Sequence, residues 1–354
     1  MVRKYEQLAN RLRMELPQRR SGEQLPTERE LSAKHHVSRQ TVRKALELLA
    51  QEGLVSSRQG SGTYVTSFEA PPVLRRAAVI TSFVDDYIFP TVLHDIQDVL
   101  SACHCMALVH ATENRTDRER QILLRLLDEG IDALLVEGSK TALPNPNLDL
   151  YERFTEQGVP MVFLHSSYPG LKNPVCVADD NFGGGQELAV HLIQKGHTAI
   201  AGIFKIDDIQ GHERYHGCVS AMRDHGLEIA DQNFLWYTTE DRSRLIVKKD
   251  PRLLRQFIGS VFPHCTAVIC YNDEIAYYLI RELLAMDFHV PQDVAVVSFD
   301  NSYISDLSPV RITSLTHRPK RMGQLAAEKL AALLSGQEAH SEQSRWSLVV
   351  KQSS

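Results

Sequence analysis

His212-Glu213-Arg214-Tyr215-His216 sets two histidines four positions apart with a glutamate between them. On a helix that spacing puts both imidazoles on one face, where they could hold zinc while the glutamate acts as a base. The pattern fixes only three positions, no third ligand is marked by spacing, and the same segment offers Arg214 to a binding site. Gly138-Ser139-Lys140-Thr141 has part of a phosphate-cradling loop but lacks its Gly-Lys pair and upstream glycine. Gly183-Gly184-Gly185 opens a predicted helix, yet Leu188 breaks the dinucleotide fingerprint, so these glycines suit close packing instead. The six cysteines (103, 105, 176, 218, 265, 270) have neither zinc-site spacing nor the density of a disulfide scaffold. No catalytic residue, metal or cofactor is therefore expected. Zinc-dependent hydrolysis through His212 and His216 stands as the competing class.

A second chemistry is recognition of a polyanion. The chain's formal charge is −5, but it is unevenly spread. Residues 1–67 hold 12 Lys and Arg against 7 Asp and Glu, whereas the remainder holds 27 against 37. A basic head on an acidic body points to nucleic acid as the head's partner. Arg39, Gln40, Arg43 and Lys44 fall on the outer side of a predicted helix capped by Ser38, whose Val42, Ala45, Leu46 and Leu49 face inward. Arg can pair bidentately with guanine and Gln with adenine, so donors in the first two turns suit a helix in a major groove.

The elements around that helix complete a known pattern. Tyr5, Leu8, Leu12 and Leu16 predict a first amphipathic helix, and Thr27-Glu28-Arg29-Glu30 is a capping box opening a second. Gly53 ends the basic helix, and residues 54–58 and 63–65 predict two short strands tipped by Gln59-Gly60-Ser61-Gly62. Pro26-Thr27-Glu28-Arg29-Glu30-Leu31, Val37-Ser38-Arg39-Gln40-Thr41-Val42-Arg43 and Gln59-Gly60-Ser61-Gly62-Thr63-Tyr64-Val65 resemble the GntR-type winged helix-turn-helix domain. That resemblance covers nearly all of residues 1–67. It implies that Arg39 and Arg43 meet bases or nearby phosphates, with Glu28 close by and Gln59 and Gly60 at the wing.

Past a Pro-Pro linker (68–76), residues 77–354 alternate short apolar runs with longer amphipathic segments. Strands are predicted at 77–81, 106–110, 133–137, 161–165, 199–204, 267–270 and 294–298. Helices are predicted at 91–102, 117–128, 183–195, 273–286 and 322–334, and the polar stretch 335–344 is expected to be loop. The fold class is thus an α+β winged head plus an α/β body of two lobes. Polar and aromatic residues recur after successive strands: Asp85, Asp86, Tyr87 and Phe89; Glu137 and Lys140; His165, Ser166 and Tyr168; Asp179 and Asp180; Lys205, Asp207 and Asp208; Asn272 and Asp273; Asp300. Ligands in such folds sit beyond the carboxyl ends of strands, and carboxylates, amides and arginine beside an aromatic face suit a sugar.

Residues 128–133, Gly196-His197, Arg214-Tyr215-His216-Gly217, Cys270-Tyr271-Asn272-Asp273-Glu274-Ile275-Ala276 and Ser298-Phe299-Asp300-Asn301 resemble the LacI/GalR-type effector domain, itself similar to periplasmic sugar-binding proteins. The resemblance implies that Arg214, Asn272 and Asp300 contact an effector. Asn301 stands where that family often has a second Asp. A GntR-type head on a LacI-type body resembles the arabinose repressors of bacteria, supported by residues 86–90, 136–143 and 203–208. It adds Tyr87, Phe89, Glu137, Lys140, Lys205 and Asp207, with His165, as pocket residues. The expectation is a cytoplasmic repressor that binds double-stranded operator DNA as a homodimer and is released by a sugar, L-arabinose, with no membrane partner; a transcriptional activator with another sugar ligand is the alternative beside zinc hydrolysis.

Overall fold

The computed structural model describes residues 4–16, 22–58, 61–66, 74–317 and 321–354. They fall into two compact units, within Met1–Val73 and Leu74–Ser354.

In the first unit, helix α1 (Lys4–Glu15) supports α2 (Glu28–His35) and α3 (Arg39–Gln51), followed by the antiparallel strands β1 (Val55–Arg58) and β2 (Gly62–Val65). Local chemistry sets these boundaries. The Thr27 hydroxyl accepts from the Glu30 backbone while the Glu30 carboxylate accepts from the Thr27 backbone at 2.7 Å, a complete capping box. His36 takes a left-handed conformation that turns the chain, and the Ser38 hydroxyl caps α3 by accepting from the Thr41 N–H at 3.1 Å. Leu8, Leu12, Leu31, Val42, Leu46, Leu49, Val55 and Val65 close one small core. Gln24 bridges Tyr64, adding to the β-ribbon a contact from the connection 17–26 between α1 and α2. Residues 17–21 of that stretch lie outside the described residues.

The second unit has two lobes, each a six-stranded sheet with helices on both faces. Lobe one contains β3 (Arg75–Thr81), α4 (Phe89–Ala102), β4 (Cys105–Ala111), α5 (Thr116–Glu129), β5 (Ala133–Glu137), α6 (Leu148–Glu156), β6 (Met161–His165) and β7 (Val175–Asp179). Lobe two follows with α7 (Asn181–Gln194), β8 (Ile200–Lys205), α8 (Ile209–Asp224), β9 (Phe234–Tyr237), α9 (Thr239–Ile246), α10 (Arg252–Val261), β10 (Ala267–Cys270), α11 (Asp273–Ala285), β11 (Ala295–Phe299), α12 (Tyr303–Leu307) and β12 (Thr313–His317). The chain then returns to lobe one for α13 (Met322–Leu334) and β13 (Glu342–Ser344), and ends in lobe two with β14 (Trp346–Val349). The sheet orders are β13-β7-β6-β5-β3-β4 and β14-β12-β11-β10-β8-β9. All pairings are parallel except β12 with β14.

Central strands such as Ala267–Cys270 and Ala295–Phe299 are buried throughout, because helices cover both faces and leave no polar side. Leu93, Ile96 and Leu100 of α4 interlock with Met322, Leu325, Ala326 and Leu330 of α13 over one face of the first sheet. Gly185 lets α7 and α8 approach closely: a Cβ there would sit 2.2 Å from the Arg214 carbonyl oxygen. Two local expectations change. Pairing begins at Arg75, opposite Cys105, so the last two residues of the expected linker 68–76 are sheet. Residues 342–344, expected as loop, pair with β7 as a polar edge strand, where one side of the ribbon needs no apolar residue.

Candidate functional site

The three crossings between lobes follow β7, β12 and β13, and the cavity between the lobes opens beside the first two. It comprises about 660 Å³ of space not filled by atoms, solvent at its mouth included. Strand ends aim their side chains into it. Glu137 closes β5, His165 closes β6, Asp179 closes β7, Lys205 closes β8, Asp300 follows β11 and His317 closes β12. The β3–α4 loop adds Ser82, Phe83 and Tyr87, and the start of α4 adds Phe89.

Arg214, on α8, is the anchor. Its side chain is 2% exposed. Nε donates to Asn181 Oδ1 at 2.9 Å and Nη1 to the Tyr271 carbonyl at 2.5 Å, while Nη2 lies 3.7 Å from Asp300 Oδ1. The guanidinium stacks against the Phe299 ring at 4.2 Å and the Tyr271 ring at 4.8 Å. Burial is the largest influence and opposes its charge, but Asp300 together with Tyr271, Asp179 and Tyr87 outweighs it and raises the pKa. Asp300 Oδ2 accepts from the Tyr87 hydroxyl at 2.5 Å, a bond that crosses the cleft, and the same hydroxyl accepts from the Asp273 N–H at 3.3 Å. Burial and the neighbouring Asp300 push the Tyr87 phenol well above its usual range, so it stays a donor. Asn272 Oδ1 caps α11 by accepting from the Ile275 N–H at 3.0 Å. Asp273 behind it accepts from the Ser314 hydroxyl at 2.6 Å and from both the N–H and hydroxyl of Ser302. Burial, then the charge of Asp300, lifts its carboxyl to about 7.

Asp179 joins the lobes at the hinge. It accepts from His317 Nε2 at 2.5 Å, His165 Nδ1 at 3.2 Å and Gln210 Nε2 at 3.1 Å. Burial would raise its pKa, but the two imidazoles hold it far below the usual carboxylate range. His165 shifts the other way: burial disfavours its charge, and the bond and charge of Asp179 together with the Glu137 and Asp300 carboxylates more than compensate. Tyr87, His165 and Asp300 at the cavity have positive φ (55°, 67° and 92°), as does the next residue, Asn301 (40°), backbone strain held by the packing around them.

Eight of the expected effector residues line this cavity: Tyr87, Phe89, Glu137, His165, Lys205, Arg214, Asn272 and Asp300. Lys140 and Asp207 do not. They lie at a latch on the rim, where Lys140 Nζ bonds Glu240 at 2.9 Å and Asp207 Oδ2 accepts from the Thr239 N–H at 3.0 Å. Asn114 crosses the cleft there, donating to Asp208 at 3.1 Å and Thr239 at 2.7 Å. The sequence reading missed Arg242, Gln210, Tyr237 and His317, which also line the cavity.

The H-E-x-x-H residues have other partners. His212 Nε2 donates to the Ile206 carbonyl at 2.7 Å, the His216 ring packs 4.9 Å from Phe182, and Glu213 accepts from Asn181 at 2.9 Å. Among the described residues no group of three or more His, Cys, Asp or Glu is placed to hold a metal ion. No helix among them is long and apolar enough to cross a membrane.

In the first unit, Arg39, Gln40, Arg43 and Lys44 are exposed together on α3. Glu28, at the start of α2, accepts from Arg43 Nε at 3.2 Å and so sets that side chain's direction. Gln59 and Gly60 lie outside the described residues. At the wing's edge Gly62 has φ 114°, and a Cβ there would fall 2.5 Å from Gln24 Nε2, which braces the turn by donating to the Ser61 carbonyl at 2.7 Å.

A profile of bacterial regulatory proteins of the gntR family matches residues 4–65, and one of the periplasmic binding protein-like domain matches residues 189–354. The arabinose metabolism transcriptional repressor of Halalkalibacterium halodurans is 33% identical over 314 residues, covering 87% of this chain and 82% of that protein. Its counterpart from Geobacillus stearothermophilus is 32% identical, covering 90% and 86%. The chain belongs to the family of arabinose metabolism transcriptional repressors. Solved structures place this repressor family member's fold among LacI-type regulators. A periplasmic binding protein/LacI regulator from Alkaliphilus metalliredigens, complexed with D-xylulofuranose, has a TM-score of 0.67 at 17% identity over 79% of this chain and 98% of that one. The regulator CelR in its cellobiose complex has a TM-score of 0.67 at 21% identity over 93% and 100%.

Proposed function

We propose that this chain is a cytoplasmic, homodimeric repressor that binds a two-fold operator through α3 and the wing and is released by L-arabinose bound between the lobes. It is not an enzyme in this reading. The observation that carries it is the Arg214–Asp300–Tyr87 chain of contacts between the lobes, beside Asn272 and Glu137. These groups offer fixed donors and acceptors to hydroxyls that both donate and accept. The relatives named above are repressors of arabinose metabolism, which supports a pentose over other hydroxylated ligands. Sugar would release DNA only through a difference in affinity between the closed and open cleft, transmitted as altered spacing of the two heads.

Calorimetry with L-arabinose tests binding, and gel-shift titration with and without the sugar tests coupling. Asp300→Ala should lose sugar affinity and retain operator affinity. Arg39→Ala or Arg43→Ala should cost about 1–3 kcal/mol of operator binding at fixed salt. A sugar that binds without changing operator affinity refutes the release mechanism, and unaltered operator binding in both arginine variants refutes the DNA assignment.

A further inference from the structure

Three cations line the cavity, and Arg242 differs from the other two. Lys205 pairs with Asp208 at 2.6 Å and Arg214 with Asn181, Tyr271 and Asp300, all in lobe two. Arg242, on α9, is gripped from both lobes. Its Nε and Nη2 make a bidentate pair with Glu274 of α11 at 2.7 and 2.8 Å. Nη2 also donates to Asp86 Oδ2 at 2.8 Å, and the Phe83 ring stacks on the guanidinium at 4.4 Å. Asp86 and Phe83 belong to the β3–α4 loop of lobe one. A guanidinium has five N–H donors, and these contacts engage Nε and Nη2. The two on Nη1 have no partner among the described residues, and the side chain lines the cavity.

We propose that Arg242 is a specificity-determining residue that donates from Nη1 to an oxygen of the bound sugar, and that closure of the β3–α4 loop over it fixes that donor. Glu274 holds the group in lobe two whether the cleft is open or shut. Asp86 and Phe83 reach it only from lobe one, so the final direction of Nη1 is set when the lobes meet. Recognition of one sugar oxygen and closure of the cleft then become a single event. The cavity also carries five carboxylates (Glu137, Asp179, Asp208, Glu274, Asp300) against its three permanent cations and the His165 and His317 imidazoles that pair Asp179. An uncharged polyhydroxyl ligand is favoured over an anionic one, which would have to displace Glu274 or Asp86.

The inference rests on the sugar reading, so the test is built to separate the two. Calorimetry on the full chain compares L-arabinose with its monodeoxy analogues and the carbocyclic analogue lacking the ring oxygen, in wild type, Arg242→Met and Asp86→Asn. Arg242→Met should weaken L-arabinose by about 10- to 150-fold, the range for a hydrogen bond to a charged donor. The analogue missing the contacted oxygen should bind wild type and Arg242→Met alike, because the interaction is already gone. Asp86→Asn should weaken every ligand and also narrow the preference for the contacted oxygen, because Nη1 is then held less firmly. If Arg242→Met does not fold, Arg242→Lys runs the same comparison, its single point donor predicting a smaller preference for the same oxygen. Equal losses for all analogues in the Arg242 variant overturn the contact, leaving the sugar reading standing. A preference for the contacted oxygen as sharp in Asp86→Asn as in wild type overturns the role of closure in fixing the donor. A wild-type chain that binds none of the sugars overturns both readings.

Discussion

Replacing Arg214 by methionine keeps an unbranched apolar stem and deletes the guanidinium. Asn181 Oδ1 and the Tyr271 carbonyl, at 2.9 and 2.5 Å, each lose a donor in a buried setting. Orphaning each costs about 1–3 kcal/mol. Asp300 loses the cation 3.7 Å away, too far for a hydrogen bond but close enough for a buried ion pair, and breaking such a pair costs about 3–5 kcal/mol. Methionine sulfur recovers some contact with Phe299 and Tyr271, and Asp300 keeps the Tyr87 hydroxyl, so the low end of these ranges applies. The expected loss is about 5 kcal/mol. Trp236 and Trp346 are the chain's two tryptophans, and both lie in lobe two, so their fluorescence during urea unfolding reports on that lobe. Asp300→Asn removes the uncompensated charge, so the double variant should be at least about 2 kcal/mol more stable than additivity of the two singles predicts. A single-variant loss under about 1 kcal/mol, or strict additivity, would refute the anchoring role of Arg214.

Other outcomes follow from the hinge, the rim and α3. Asp179 is held below its ordinary range, so its contribution is present above about pH 4 and fades as pH falls; that of His165, shifted upward, is full below about pH 6.5 and fades as pH rises through its folded value. Asp179→Asn should therefore destabilise most between those limits, as unfolding curves across pH will show. Asp273 is pushed up to about 7, so its ionisation opposes folding increasingly as pH climbs from about 4 toward 7. Asp273→Asn should gain on wild type between pH 5 and pH 8, and a constant gap would contradict the assignment. Asn114→Ala removes two bonds across the cleft and should cost the closed state about 1–3 kcal/mol, measured as weaker sugar binding. Lys44→Ala should lower the salt slope of operator binding by about one if it meets a phosphate.

The sequence showed most of the head, because capping residues, a basic helix and glycine turns act locally and leave local marks. It showed the central strands, whose apolar runs reflect burial on both faces. It hid Thr313–His317, because the buried Thr313 and Ser314 hydroxyls are satisfied by Lys351, Ser354 and Asp273, partners distant in sequence. Glu342–Ser344 was hidden by its place at an edge. In the pocket, residues at the ends of apolar strands were legible. Arg242 was not: it sits in Thr239-Glu240-Asp241-Arg242-Ser243-Arg244, which reads as a solvated helix, and only the fold brings Glu274 and Asp86 to it. Lys140 and Asp207 were placed in the pocket by the family resemblance, but the loops carry them to the rim.

The three crossings between lobes have a consequence for synthesis. Residues 4–66 hold every element of the first unit, so the head can fold as soon as it leaves the ribosome. Lobe one cannot: the apolar face of α4 waits for α13, which is made after all of β4 through β12. At bacterial translation rates of ~5–20 residues per second that wait lasts roughly 10–45 s, with Leu93, Ile96 and Leu100 uncovered and open to misassociation or chaperones. A ribosome that stops before Met322 releases a finished reader of DNA attached to an unfinished sensor. Such a fragment could occupy an operator, yet no sugar could dislodge it.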